Sequence, residues 1–230
     1  MIKNIFLDLD DTILDFRKGE RAAISKTFCR LNIPDSEETI ERYIQINLDC
    51  WRALERGEMT KAQVLVGRFE LLFKELNIDT DAIVAQEIYE NYLAGEHDFI
   101  PGGKELLEEL YASGKYRIFM ATNGIPSVQY PRIKDSGIGN YFDRFFISEE
   151  IGYAKPSKEF FDECFKRIDG FKKSETIIVG DSLTSDIRGG INAGILTCHF
   201  NPRGRQYGSV IPNYSITSLD ELIPILNSIN

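Results

Sequence analysis

The chain has 230 residues, 43% of them hydrophobic and 11% aromatic, enough to bury one sizeable core, or a core with a smaller inserted unit. Its formal net charge of −9 argues against a nucleic-acid polymer or an anionic membrane as a general partner, because both demand clustered basic charge. The four cysteines, Cys29, Cys50, Cys164 and Cys198, lie far apart with no Cys-x-x-Cys pair, which suggests neither a disulfide framework nor a zinc site and fits a reduced, cytoplasmic protein.

The N-terminus lacks the basic-then-apolar pattern of a signal peptide, and no segment approaches the length of a membrane span. Residues 4–9, rich in Ile, Phe and Leu, predict a short inner strand that runs into three carboxylates, Asp8, Asp10 and Asp11, followed by Thr12. Two unit charges about 4 Å apart cost roughly 4 kcal/mol at an effective dielectric near 20, so a cation is expected beside them.

From 16 to 96 the character changes to helix. Ile40, Ile44, Asn47, Leu48, Trp51 and Leu54 recur at helical spacing, as do Val64, Phe69, Leu72, Phe73 and Leu76, with Gly57 and Asn77 as breaks. After "FIPGG" helices and strands alternate: helix 102–113, strand "YRIFMAT", helix 127–135, strand "RFFIS", helix 157–168, strand "TIIVGD", helix 184–193 and strand "GILTCHF". Residues 201–213 read as a surface loop before a last short strand and a helix at 218–228. Alternation of this kind predicts an α/β fold, a Rossmann-like parallel sheet with helices on both faces, because parallel neighbours need crossover connections. The organisation is then a core of residues 1–15 and 97–230, with an inserted helical unit at 16–96.

Three apolar strands end in the residues most suited to chemistry: Asp8 and Asp10 after the first, Thr122 and Asn123 after "RIFMA", and Asp181 after "TIIVG". Ligands of open parallel sheets bind beyond the carboxyl ends of the strands, so these groups are expected to converge. Any one of them alone would read as a helix cap. Asp8, Asp10, Asp181 and Asp186 together offer hard oxygen ligands suited to Mg²⁺. Lys155, ahead of Pro156, can balance an anionic substrate, with the proline starting the next helix and biasing Lys155 to an extended conformation.

These residues carry a resemblance. Asp8-Leu-Asp10-Asp11-Thr12 resembles the first motif of the haloacid dehalogenase-like hydrolases, Thr122-Asn123-Gly124 the second, Lys155-Pro156 the third, and Gly180-Asp181-Ser182 through Asp186 the fourth, in the family's order. The helical block resembles the small cap of that superfamily's first subfamily. Within it, "CWRALERGEMTKAQVLVGRFELLFKELNI", together with "ISEEIGYAKPSKEFF" and "GDSLTSDIRGGINAGI" further along the chain, is similar to bacterial pyrimidine 5′-nucleotidases.

The resemblance implies a Mg²⁺-dependent phosphatase of small phosphate monoesters. Asp8 is the implied nucleophile, forming an aspartyl-phosphate, and Asp10 the acid that protonates the leaving oxygen and then deprotonates water. Asp8, the Asp10 carbonyl, Asp181 and Asp186 are the implied metal ligands, Asp186 directly or through water. Thr122, Asn123, Gly124 and Lys155 hold the phosphoryl oxygens. Asp11 reads as a turn or cap residue and Thr12 as a tie in the motif's loop. Specificity is expected from Arg52, Arg56, Trp51 and Arg68, although core packing suits Trp51 and solvated faces suit the arginines.

Related caps serve phosphoglycolate and sugar-phosphate phosphatases and phosphomutases, which stay open as alternatives. Asp10 argues against a halide-releasing dehalogenase. A phospho-acceptor module of the receiver type also gathers acids, a Thr and a Lys, but receivers are about half this length. No Gly-x-Ser-x-Gly elbow or Gly-x-x-x-x-Gly-Lys phosphate loop occurs, and His97 and His199 read as structural. The sequence carries no sign of an oligomeric state.

Overall fold

The computed structural model describes residues 1–204, 206 and 208–229, so Arg205 and Tyr207 of the expected surface loop, and Asn230, lie outside the described residues. A six-stranded sheet has the order β3-β2-β1-β4-β5-β6 and is parallel throughout. Its strands are β1 (Asn4–Leu7), β2 (Arg117–Thr122), β3 (Arg144–Ile147), β4 (Thr176–Gly180), β5 (Leu196–Phe200) and β6 (Tyr214–Ile216). Every residue of β1 and β4 is buried, as a parallel sheet covered by helices on both faces demands.

On one face Phe6 packs its ring 5.3 Å from Phe119 and 5.8 Å from Phe146. Phe161 and Phe165 of a helix at Lys158–Lys166 complete that cluster. Pro156 does not open this helix as expected. Ser157 is its N-cap, accepting from the Phe160 N–H, because a hydroxyl can satisfy a first-turn donor and proline cannot. The expected helix at 184–193 is also divided, into a π-helical turn, Leu183–Ile187, and a short helix, Arg188–Ala193.

The chain forms two compact units. One comprises Met1–Asp15, Asp98–Pro126 and the described residues from Ser136 onward, and contains the sheet. The other comprises Phe16–His97 together with Ser127–Asp135. Its helices are α1 (Phe16–Arg30), α2 (Glu37–Glu55), α3 (Lys61–Leu76), α4 (Ala82–Leu93) and, after α5 (Gly103–Ala112) of the first unit, all but the first residue of α6 (Pro126–Asp135). Ser36 and Asp81 cap α2 and α4, and a Thr60–Gln63 capping box starts α3. Gly57 (φ 75°) and Asn77 (φ 52°) take the left-handed conformation that ends helices, at both expected breaks.

Two expectations inside this unit are corrected. The buried stripe of α2 is Ile40, Tyr43, Ile46, Asn47 and Cys50, so Leu48 is exposed and Trp51 only half-buried. The face is set by Tyr43, whose ring lies 5.1 Å from Phe69 and 5.6 Å from Tyr89. Arg68, expected on a solvated face, is 3% exposed. It falls four residues from Val64 and from Leu72 on the buried stripe of α3. Its guanidinium donates to Asn47 Oδ1 and Gln86 Oε1, both at 2.7 Å, and lies 4.7 Å from the Tyr89 ring centroid. Hydrogen bonds and aromatic faces take the place of water there.

Candidate active site

Three parallel strands deliver the site. Asp8 follows β1, and its N–H donates to Val179 O at 3.0 Å, extending the ladder to β4 by one step. Residues 9–14 then fold back: Asp11 takes φ 56° and its N–H donates to Leu14 O at 2.8 Å, so Asp11 is the turn residue of this loop. Thr12, fully buried, accepts from the Asp181 N–H at 3.1 Å and so ties the loop after β1 to the loop after β4. His199 Nε2 donates to Asp181 O at 2.9 Å, the structural role expected of it.

Lys155 is 2% exposed. Its ammonium donates to Asp8 Oδ1 at 2.7 Å, Asp186 Oδ1 at 2.6 Å and Ala121 O at 2.5 Å, one acceptor for each proton. Its main chain is held by the side chain of Asn123, whose Nδ2 donates to Lys155 O at 2.8 Å and whose Oδ1 accepts from Lys155 N at 2.9 Å. The Lys155–Pro156 peptide is cis. On the same turn, Thr122 Oγ1 accepts from Gly124 N at 3.1 Å.

Asp186 is fully buried, and its Oδ2 accepts from Ser182 N at 3.1 Å. Gly180 leaves the space that this requires, since a Cβ there would stand 2.2 Å from Asp186 Oδ2. The clamp by the Asn123 amide and the hold of Asp186 on Lys155 were not legible in the sequence. Ser182, accepting from Ser185 N as a cap, is the one local signal that the segment bends back here.

The carboxylates of Asp8, Asp181 and Asp186 bring one oxygen each within 4.8 Å of one another. Against these three, Lys155 supplies one positive charge. The remaining excess of negative charge and the all-oxygen donor set fit a hard divalent cation. Burial, then the charge of Asp186, push the Asp8 carboxyl up to about 8, against the pull of Lys155. Burial opposes the charge on Lys155, but Asp186 and Asp8 outweigh it and hold its ammonium above the usual lysine range. Asp10, half-buried, has no carboxylate in the three-acid group.

Arg52 and Arg56 belong to the helical unit. Both are exposed: Arg56 donates to Glu58 at 2.7 and 2.6 Å, and Arg52 stands 3.7 Å from Asp49.

A model of the haloacid dehalogenase-like hydrolases matches residues 2–194. The chain therefore belongs to the haloacid dehalogenase-like hydrolase family and is an enzyme rather than a phospho-acceptor module. It is 39% identical to the HAD-hydrolase YfnB of Bacillus subtilis (strain 168) over 226 residues, 98% of this chain and 95% of that one. A crystal structure of YfnB bound to magnesium superposes with a TM-score of 0.93, covering 98% of this chain and 99% of that one. The pyrimidine 5′-nucleotidase PynA of Streptococcus pneumoniae is 33% identical over 226 residues, 98% of this chain and 95% of the relative. The pyrimidine 5′-nucleotidase YjjG of Escherichia coli (strain K12) is 33% identical over 223 residues, 96% of each chain.

Proposed function

We propose that the chain is a Mg²⁺-dependent phosphatase that hydrolyses small phosphate monoesters through an aspartyl-phosphate on Asp8, with pyrimidine nucleoside 5′-monophosphates as its preferred substrates. The observation that carries the chemistry is the buried Asp8–Lys155–Asp186 cluster beside Asp181 at the carboxyl end of the sheet. The nucleotide preference is supported by the likeness to PynA and YjjG over almost the whole chain.

In this reading Asp8 Oδ attacks phosphorus in line, the bond to the leaving oxygen breaks, and Asp10 gives that oxygen a proton. Asp10 then takes a proton from water, whose oxygen attacks the phosphoryl group and returns Asp8 as a carboxylate. Thr122, the Asn123 N–H and Lys155 hold the phosphoryl oxygens as charge shifts onto them, Lys155 giving up one of its three protein acceptors to do so and Gly124 orienting Thr122 Oγ1 through its own N–H. Asp8, the Asp10 carbonyl, Asp181 and Asp186 are the assigned holders of Mg²⁺, with Asp186 also fixing Lys155. When bound, the ion supplies positive charge that offsets the repulsion between carboxylate and phosphate.

Residues 16–96 form the specificity unit in this reading, with Arg52 and Arg56 as its substrate-binding residues. Free thiols at all four cysteines accord with a reducing, cytoplasmic setting. Among the described residues, no helix is long and apolar enough to cross a membrane.

The test is a panel of phosphate esters assayed with Mg²⁺. dUMP, dTMP and UMP are expected to show the highest kcat/KM, above phosphoglycolate and hexose phosphates. Equal values across the panel would remove the nucleotide preference and leave the phosphatase. No release of phosphate from any ester would remove both.

A further inference from the structure

Gly180 ends β4 and pairs with His199 of β5, the last paired position of β4 in that ladder. Asp181 stands one residue further on, and its carboxylate belongs to the three-acid group. Side chains take over from the ladder there. From the β1 side, Thr12 Oγ1 accepts from the Asp181 N–H at 3.1 Å. From the β5 side, His199, only 1% exposed, directs Nε2 to Asp181 O at 2.9 Å. A carbonyl oxygen only accepts, so the ring proton sits on Nε2. The N–H of the same peptide group, that of Ser182, donates to Asp186 Oδ2 at 3.1 Å. The peptide after Asp181 is thus held at its oxygen by a ring and at its nitrogen by another acid of the group.

Gly180 adds no stiffness of its own. It has to lack a side chain because the Asp186 carboxylate fills that space, and glycine is the residue with the freest backbone. Fixing the peptide groups on both sides of Asp181 gives its Cα–Cβ bond one direction, so that only χ1 and χ2 lie between the held main chain and the carboxylate. We propose that His199 is a positioning residue for the Mg²⁺ site, acting through the Asp181 main chain to aim that carboxylate. The inference rests on the reading of Asp181 as a holder of the ion. A rigid ring suits the task, because it delivers a donor from a buried strand without the freedom of a long chain. Leucine removes the donor at similar volume, and glutamine restores one at comparable reach.

The experiment compares wild type with His199→Leu, His199→Asn and His199→Gln by calorimetric titration of metal-free protein with Mg²⁺ alone, by thermal unfolding without metal, and by steady-state kinetics at varied Mg²⁺. Loss of the donor is expected to raise the Mg²⁺ Kd of His199→Leu about 10-fold, the low end of what removing an outer partner of a metal ligand costs, because Thr12 still holds the N–H. The Mg²⁺ concentration giving half the maximal rate should rise in parallel, with kcat at saturating Mg²⁺ and the KM for the ester near wild type. His199→Gln should recover most of the affinity. A purely structural role would instead lower the unfolding temperature and leave the Mg²⁺ Kd intact. Wild-type Mg²⁺ affinity in a folded His199→Leu protein overturns the proposal, and so does a folded His199→Gln that binds as weakly as His199→Leu. If His199→Leu does not fold, His199→Asn decides, since its amide falls short of Asp181 O: weaker Mg²⁺ binding supports the proposal, and unchanged binding overturns it. If wild type takes up no Mg²⁺, the reading of Asp181 fails and takes this one with it; a wild type that binds Mg²⁺ beside unaffected variants sinks this one alone.

Discussion

Asp8 is the residue on which charge and function meet. In the metal-free protein its carboxyl is raised to about 8 by burial and by Asp186. A carboxyl held higher in the folded than in the unfolded chain makes the folded state bind the proton more tightly. The stabilisation it gives below the ordinary value, about 4, is therefore lost as pH rises towards 8. Lys155, raised above its ordinary value, contributes stability that is already complete throughout that window. Metal-free wild type is thus expected to lose melting temperature between pH 5 and pH 8.5, Asp8→Asn to lose less, and added Mg²⁺ to restore wild type most at the alkaline end. Equal slopes in wild type and Asp8→Asn, followed by thermal unfolding, would contradict this assignment. Asp8→Asn should also abolish turnover while remaining folded.

At this scale the sequence pointed to Asp8, Asp10, Asp181, Thr122 and Lys155, because each ends an apolar run or abuts a proline. It could not show that the Asn123 side chain grips the Lys155 backbone, since that bond joins positions 32 apart through a carboxamide with no local signature. Arg68 was misread for a related reason. Its charge suggested solvent, but its place on the stripe with Val64 and Leu72 proved decisive once Asn47 and Gln86 supplied acceptors.

Among the elements, β4 and the π-helical turn after it carry the most constraint. Gly180 ends the strand, and the Asp186 carboxylate occupies the space that a side chain there would take. Gly180→Ala should cost about 1–3 kcal/mol by overpacking, the usual range for an added methyl in a filled interior. It should also cut kcat more than tenfold by moving Asp186 off Lys155, a loss of the size expected when a charged group near the reaction is displaced. Denaturant unfolding and steady-state kinetics read the two effects separately; a fully active, equally stable variant would show that Asp186 has room to spare. The alternation of apolar runs and helical spacing disclosed β1, β2, β4 and β5 because each strand is buried on both faces. The π turn was hidden, because a five-residue segment ending in buried Ile187 has the same polarity pattern as the first turn of an α-helix. On α2 the apolar set Ile44, Leu48 and Trp51 offered a second periodic face, and aromatic packing by Tyr43 decided between the two.

For the whole molecule, the chain forms a sheet-bearing unit and a helical unit, and the helical unit comprises Phe16–His97 with Ser127–Asp135 of α6 in addition. That addition could not be read from the sequence: α6 follows β2 as a crossover helix should, and the hydrogen bonds from Arg132 to Glu96 O and from Ser127 to Glu90 join positions 36 and 37 apart. The central claim for the whole protein is covalent turnover at Asp8 with Asp10 as the proton carrier, and Asp10→Asn tests it most directly with p-nitrophenyl phosphate in Mg²⁺ and an acid quench. The p-nitrophenolate leaving group needs no proton, while activation of water does, so phosphoryl transfer should proceed and hydrolysis stall. The prediction is a burst of about one p-nitrophenolate per chain with phosphate trapped on the Asp8 peptide, as expected when a covalent intermediate accumulates. Steady release with no phosphorylated protein, or phosphate found on a different residue, would contradict it.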